Sequence, residues 1–596
     1  MRRVYLQFAL CLLLQALAVQ AQQPSDFEDF IAGRGLAAPA NDLSEETDID
    51  IPEPGIAFVN LMGFNNMPVS KYTTTHGWME VYDDHGNYFR KRVNLSAQGG
   101  YTLNYPKRNF VCHFTDEAWN EDNTPDFKIG DWVKQDAFHF KAFYTEFTRG
   151  IGEIGYKLFA QMVADRQSYW ERLGYDDDSR ARCFPDGFPC AVFLNGKFYG
   201  IYAWQLKKHR KNMNQKKDEA GHIHLDGNLR DDYIFRGNIK WGQFEVRNPK
   251  NLYAYNGWPY DGNSPTMLMD ENSSDYDRPT DSEEVRANKQ RTAAVKRSIV
   301  NMSRYWDELN NIETMGASAE EMRSEIEKRF DVEGMIDYYV FYYFTQNGDA
   351  TLKNWQWFTY DGVKWTVTPY DLDQTFGMGL YGNIRPHFIP IAELTSGPFY
   401  WVYRYYQDDV RVRYAKMRND GILEYDNVVS IINDWRERIG EELYAKEQQR
   451  WPESPCYQES ICNDGWEQVP WSEWMDHWYD TSYDNSRTYQ PGDCCWLEGK
   501  VWRATKTVRG VKPFIRNANI DTMERLTGWV EGRLDYLDDF FNYTTGITET
   551  KTADNGGERT VIGIYTLTGV RVQTPSPGKV YVFKYSDGTA RKILAR

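Results

Sequence analysis

The stretch that decides the fold runs Asn347-Gly348-Asp349-Ala350-Thr351-Leu352-Lys353-Asn354, then Trp355–Tyr360, Asp361-Gly362, Lys364–Thr368, and Pro369-Tyr370-Asp371-Leu372-Asp373-Gln374-Thr375-Phe376-Gly377. Upstream, Asp331 precedes apolar residues at 335, 336, 339, 340, 343 and 344. That spacing predicts a helix capped by Asp331 and ending at Gln346-Asn347-Gly348. Asp361-Gly362 between two β-prone runs predicts a tight hairpin. Asp349 therefore closes a helix, Asn354 follows it, and the hairpin returns the chain to Asp371 beside Asn354.

This order suits phosphoryl transfer. One carboxylate orients and deprotonates an acceptor hydroxyl, while an Asn amide oxygen and a second carboxylate hold Mg²⁺ on nucleotide phosphates. Protein kinases use the same plan of Asp, four residues, Asn, hairpin and Asp. On spacing alone, an Asp after a helix and a DxD turn also read as solvated turn residues.

Working outward, 596 residues exceed one ordinary domain. Apolar residues at 41% exclude wholesale disorder, and a net charge of −17 disfavours nucleic acid as a partner. Arg2, Arg3, an apolar run from Phe8 to Leu17 and Val19-Gln20-Ala21 predict a signal peptide over 1–21. No later stretch is apolar for long enough to span a membrane. The expected location is secreted or cell-surface, reached through the periplasm. Residues 22–55 read as a flexible acidic lead-in, and 56–115 as an antiparallel sheet. A helix is expected over 149–173, a hairpin at Asn195-Gly196, and a capping box at Ser318 with Glu321. Export permits disulfides, and Cys183–Cys190 is the first expected pair. Cys112 reads as a buried free thiol. A zinc site is not expected, because no CxxC pair recurs and the nine His are scattered.

Several stretches resemble the spore coat protein H (CotH) kinase family. They are Ala97-Gln98-Gly99 with Tyr105-Pro106-Lys107-Arg108-Asn109-Phe110, Leu194-Asn195-Gly196 with Tyr199-Gly200-Ile201-Tyr202, and the two stretches Asp349–Asn354 and Pro369–Gly377. The resemblance covers a core at 56–450 and a closing helix within 516–545. It implies an α+β, atypical two-lobed kinase-like fold and transfer of phosphate from ATP, with Mg or Mn, to Ser or Thr of a secreted protein acceptor that the sequence does not name. By position, Asp349 becomes the catalytic base and Asn354 and Asp371 the metal ligands. Asp373 becomes a further ligand or a positioning residue. Lys107 is the candidate phosphate-contacting lysine, with Glu146 as its partner, although a solvated strand lysine would read the same way. No Gly-rich phosphate loop or Walker motif is present.

Residues 455–515 read as an inserted aromatic-rich module. Tyr489-Gln490-Pro491-Gly492-Asp493 and Gly499-Lys500-Val501-Trp502-Arg503-Ala504 resemble the small carbohydrate-binding modules of bacterial chitinases. That resemblance implies Trp496, Trp502 and Tyr489 as sugar-facing rings for a chitin-like or other glycan. A linker at 546–557 leads to 558–596. There Ile564–Val572, Gly578–Phe583 and Arg591–Leu594 resemble the C-terminal sorting domain of type IX secretion in Bacteroidota, expected as a small β-sandwich. Two other functions compete: a non-catalytic surface scaffold or adhesin on the same fold, and a glycoside hydrolase using paired carboxylates.

Overall fold

The computed structural model describes residues 26–121, 124, 126–227, 244–248, 278–348, 350, 354–379, 382, 384–388, 397–457, 465–477, 480–497, 500–513, 521–543, 561–566, 571–572, 580–585 and 590–594. The expected signal peptide and the linker at 546–557 lie outside these residues.

After helix α1 (Asp26–Gly33), seven strands follow: β1 (Ala57–Met62), β2 (Thr75–Asp83), β3 (Asn87–Gln98), β4 (Asn109–Phe114), β5 (Ala137–Lys141), β6 (Gly187–Leu194) and β7 (Lys197–Leu206). Between β5 and β6 lies helix α2 (Ile151–Val163). The strands run in the order β3-β2-β1-β6-β7-β5-β4, and β4 pairs back with β3. The expected antiparallel sheet over 56–115 is thus part of a closed seven-stranded barrel. Every seam is antiparallel except β1–β6, where Ala57 to Leu61 run alongside Cys190 to Leu194. The β6–β7 turn uses Asn195 (φ 48°) and Gly196 (φ 80°), the left-handed pair an Asn-Gly hairpin requires.

Strand alternation divides the apolar residues between two cores. Phe188, Cys190 and Val192 of β6 and Tyr202 and Trp204 of β7 fill the barrel. Ala191, Phe193, Ile201 and Ala203 point the other way, into a larger core shared with the helices. That core takes in α2, α3 (Glu283–Thr314), α4 (Ala319–Glu327), α5 (Val332–Thr345), α6 (Phe399–Tyr405), α7 (Gln407–Asn419), α8 (Tyr425–Ile439), α9 (Glu441–Arg450) and α10 (Met523–Phe540). Ser318 and Glu321 make the expected capping box of α4. Asp331 stands at the N-cap of α5, but its carboxylate is taken by Arg172 (2.8 Å) and Thr366 Oγ1 (2.7 Å). The hairpin β10 (Trp355–Thr359) and β11 (Thr366–Pro369) extends a sheet begun by β8 (Ile223–Gly227) and β9 (Phe244–Asn248).

Cys183 and Cys190 are both buried free thiols, not a disulfide. Cys183 packs beside the Tyr360 hydroxyl, whereas Cys190 lies inside the barrel, so the two belong to different cores. Cys112 is a buried free thiol in the barrel. Strands β12 (Trp466–Gln468), β13 (Cys494–Leu497) and β14 (Lys500–Ala504) make a small sheet ordered β12-β14-β13. The described residues after 560 make one four-stranded antiparallel sheet, β15 (Val561–Tyr565), β16 (Arg571–Val572), β17 (Val580–Tyr585) and β18 (Ala590–Leu594), where a sandwich was expected. Among the described residues no helix is long and apolar enough to cross a membrane.

Candidate active site

Helix α5 is apolar nearly all round and buried along its length, so it fixes the chain that leaves it. Gln346 ends it in the left-handed conformation (φ 54°), its N–H donating to Tyr342 O at 3.0 Å. Asp349 and Lys353 lie outside the described residues. Asn354 is described; it is buried, with φ 67°, and its carbonyl accepts from Tyr370 N at 3.1 Å. Across the hairpin Asp371 also adopts positive φ (52°). Two non-glycine residues in this sparsely populated region flank one hairpin base, a pattern that clusters at functional sites. The turn after Asp371 is held by Thr375 Oγ1 donating to Leu372 O (2.8 Å) and Phe376 N donating to Thr345 O (2.8 Å). Helix α2 lies close against it: a Cβ on Gly155 would stand 2.9 Å from Leu372 Cδ1.

Lys141, the last residue of β5, reaches this turn. Its Nζ donates to Asp371 Oδ1 at 3.0 Å, and its side chain is only 5% exposed. Burial works against the ammonium charge, but Asp371, Tyr370 and Asp373 outweigh it and raise its pKa. Glu153, on α2, is fully buried, and its Oε1 accepts from Gln205 Nε2 at 2.5 Å. Burial, reinforced by Asp186, pushes its carboxyl up to about 8, with Lys141 pulling the other way. Lys141, Asp371, Asp373, Asn109, Glu146 and Lys107 line one open cleft. Asn354, Asp371 and Asp373 therefore share the base of one hairpin, and the last two face a barrel lysine.

Lys107 is placed differently from its expected role. Its side chain is wholly buried, and its Nζ donates to Glu447 Oε1 (2.7 Å), Ala142 O (3.2 Å) and Ile201 O. Glu447, on α9, also forms an ion pair with Arg149 Nε (2.9 Å) and accepts from Ile201 N (2.8 Å). Burial outweighs Glu447 and pushes the Lys107 ammonium down to about 8. A lysine fixed this way cannot turn to a phosphate without stripping a buried carboxylate of a partner. Glu146 is not its partner. The Glu146 carboxylate accepts from Thr148 N (2.6 Å), Gly150 N (2.7 Å) and Ile151 N (3.2 Å), capping α2. Nothing short-range in the sequence marks Lys141 or Glu153; only a lysine ending a strand and a glutamate in the first turn of the next helix could have suggested them.

The three rings expected to face sugar also divide. Tyr489 and Trp502 are 1% and 3% exposed, packed with Trp466, Cys495 and Val508 in the core of the small sheet. They offer no free face for stacking. Trp496 is half-buried, its Nε1 donating to His477 O at 2.7 Å and its ring edge-on to Trp474.

A family model described as CotH kinase protein matches residues 95–484, more than half of the chain and inclusive of every group in the cleft. No curated protein matches the chain.

Proposed function

Because this chain belongs to the CotH kinase family, we propose that it is an exported protein kinase that moves the γ-phosphoryl group of ATP to a Ser or Thr hydroxyl of a secreted protein. The observation that carries this reading is the 3.0 Å contact between Lys141 and Asp371 at the mouth of the cleft. It joins a barrel strand to the hairpin base, as a kinase-like nucleotide cleft between two lobes requires. Lys141 takes the phosphate-contacting role in place of Lys107, with Asp371 as its carboxylate partner.

Asp371 and Asn354, with Asp373 as a further ligand or a positioning group, would hold Mg²⁺. A carboxylate and an amide oxygen are the hard donors this ion takes, and both residues stand at one hairpin base. The ion would supply charge neutralisation at the nucleotide phosphates. Asp349, by its place in the sequence motif, takes the acceptor hydroxyl's proton. Lys141 holds the Asp371 carboxylate in its bound orientation and carries the positive charge that faces the phosphates. Glycan targeting is not part of the proposal, because two of its three rings are core.

The test is incubation of the purified full chain with labelled ATP and Mg²⁺ or Mn²⁺, reading incorporation into itself and into secreted proteins. Asp349→Ala should lose transfer and keep nucleotide binding, while Asp371→Ala should lose both. Equal transfer by wild type and both variants overturns the assignment. Nucleotide binding without transfer to any acceptor favours the scaffold reading.

A further inference from the structure

Among the described residues, the small sheet formed by β12, β13 and β14 packs around a compact apolar cluster of Trp466, Tyr489, Cys495, Trp502, Ala504 and Val508. A unit this small seldom holds together on apolar burial alone and is ordinarily stapled by a disulfide or a metal. The two cysteines of β13, Cys494 and Cys495, are free thiols. On its surface, however, three metal-ligating side chains of different chemistry converge. One ligand atom from each of His477, Asp480 and Cys494 lies within 4.8 Å of the other two. His477 Nδ1 stands 2.8 Å from Asp480 Oδ2, and its Nε2 stands 4.0 Å from Cys494 Sγ.

The backbone around these donors is fixed. His477 ends a short 3₁₀ turn, and its carbonyl accepts from Trp496 Nε1 (2.7 Å) and Asp480 N (3.0 Å). Cys494 opens β13, opposite Arg503 of β14. The Arg503 guanidinium is itself held by Glu467 (3.1 Å) and Glu473 (2.8 Å).

We propose that His477, Asp480 and Cys494 form a zinc site that ties His477 and Asp480 to strand β13. A thiolate and an imidazole select a borderline-soft ion over Mg²⁺ or Ca²⁺. Zinc bonds of about 2.0–2.3 Å place neighbouring tetrahedral donors about 3.3–3.7 Å apart, so a single ring nitrogen, Nε2, binds, Asp480 gives up its hydrogen bond to Nδ1, and donors now within 4.8 Å draw in by on the order of an ångström. Binding replaces the Cys494 S–H bond with an S–Zn bond and releases that proton to water. One carboxylate and one thiolate balance the ion's two charges, and three protein donors leave the fourth position to water.

The experiment uses the full chain, stripped with a chelator and titrated with Zn²⁺ alone or Co²⁺ alone. One ion should bind per chain, Co²⁺ should give a near-ultraviolet thiolate charge-transfer band, and Zn²⁺ should protect residues 465–513 from proteolysis. Cys494→Ser should abolish the band, and Asp480→Asn should weaken binding on the order of tenfold or more. If Cys494→Ser does not fold, His477→Gln carries the same test with the thiol in place. No band, or a band undiminished in these variants, overturns the site. Phosphotransfer is read separately, so neither result bears on the kinase assignment.

Discussion

Replacing Lys107 and Lys141 separately by methionine distinguishes a lysine that holds the fold from one that serves the cleft. Lys107→Met removes a wholly buried ammonium with three acceptors, Glu447, Ala142 O and Ile201 O. Breaking a buried pair by removing one partner costs about 3–5 kcal/mol. The lower end applies, because Glu447 keeps Arg149 at 2.9 Å and Ile201 N at 2.8 Å. Lys107→Met should therefore lose about 3 kcal/mol of stability and keep phosphotransfer wherever it remains folded. Lys141→Met removes an ion pair whose Asp371 side is 33% exposed, which limits the stability cost to about 1 kcal/mol. Its effect falls on the phosphates: loss of a positioned electrostatic group lowers transfer by about 100-fold or more. The assay pairs urea unfolding, followed by tryptophan fluorescence, with labelled-ATP transfer at saturating ATP. Abolished transfer in Lys107→Met with an unchanged unfolding midpoint, alongside an active Lys141→Met, would refute the reasoning.

Three further outcomes follow from the geometry. Glu153 is pushed up to about 8, so the folded chain holds a proton there that the unfolded chain releases near the ordinary carboxyl value. Its stability contribution is present at low pH and lost as pH rises through 8, so wild type should lose ground to Glu153→Gln between about pH 5 and 8; melts showing a constant gap would count against it. Trp502→Ala empties the centre of the small sheet and should cost that unit about 3–5 kcal/mol, seen as faster proteolysis within 465–513 with the barrel intact. Removing 558–596 should leave the melting of the barrel and helices unchanged and, in the native host, hold the protein in the periplasm; wild-type surface levels would sink the sorting role.

What the sequence disclosed was local. The 3.6-residue spacing and Asn-Gly punctuation placed α2, α5 and the β6–β7 turn, and Asp361-Gly362 placed the hairpin that brings Asn354 to Asp371. What it hid was decided by distant partners. Lys107 and Lys141 each stand in or beside a barrel strand, and only Glu447, 340 residues away, and Asp371, 230 residues away, tell them apart. Tyr489 and Trp502 have the composition of a sugar platform, but a sheet with so few apolar residues needs its largest rings inside. His477 and Cys494 are remote enough in sequence to match no metal spacing, and only the fold brings them together.

The seams of the barrel also dictate when it can form. The parallel pairing of β1 with β6 joins residue 57 to residue 190, and the ring holds no shortcut around that long-range closure. Such non-local pairing is slow to nucleate, because loop entropy is lost before any contact rewards it. The buried triad delays completion further: until residue 447 arrives, Lys107 and Arg149 have no carboxylate to meet beneath β7. A chain emerging from its N-terminus thus waits for more than two thirds of its length before the cleft-bearing half can close. Until Leu206 has emerged, the strands of the unfinished ring present unpaired edges to any neighbour.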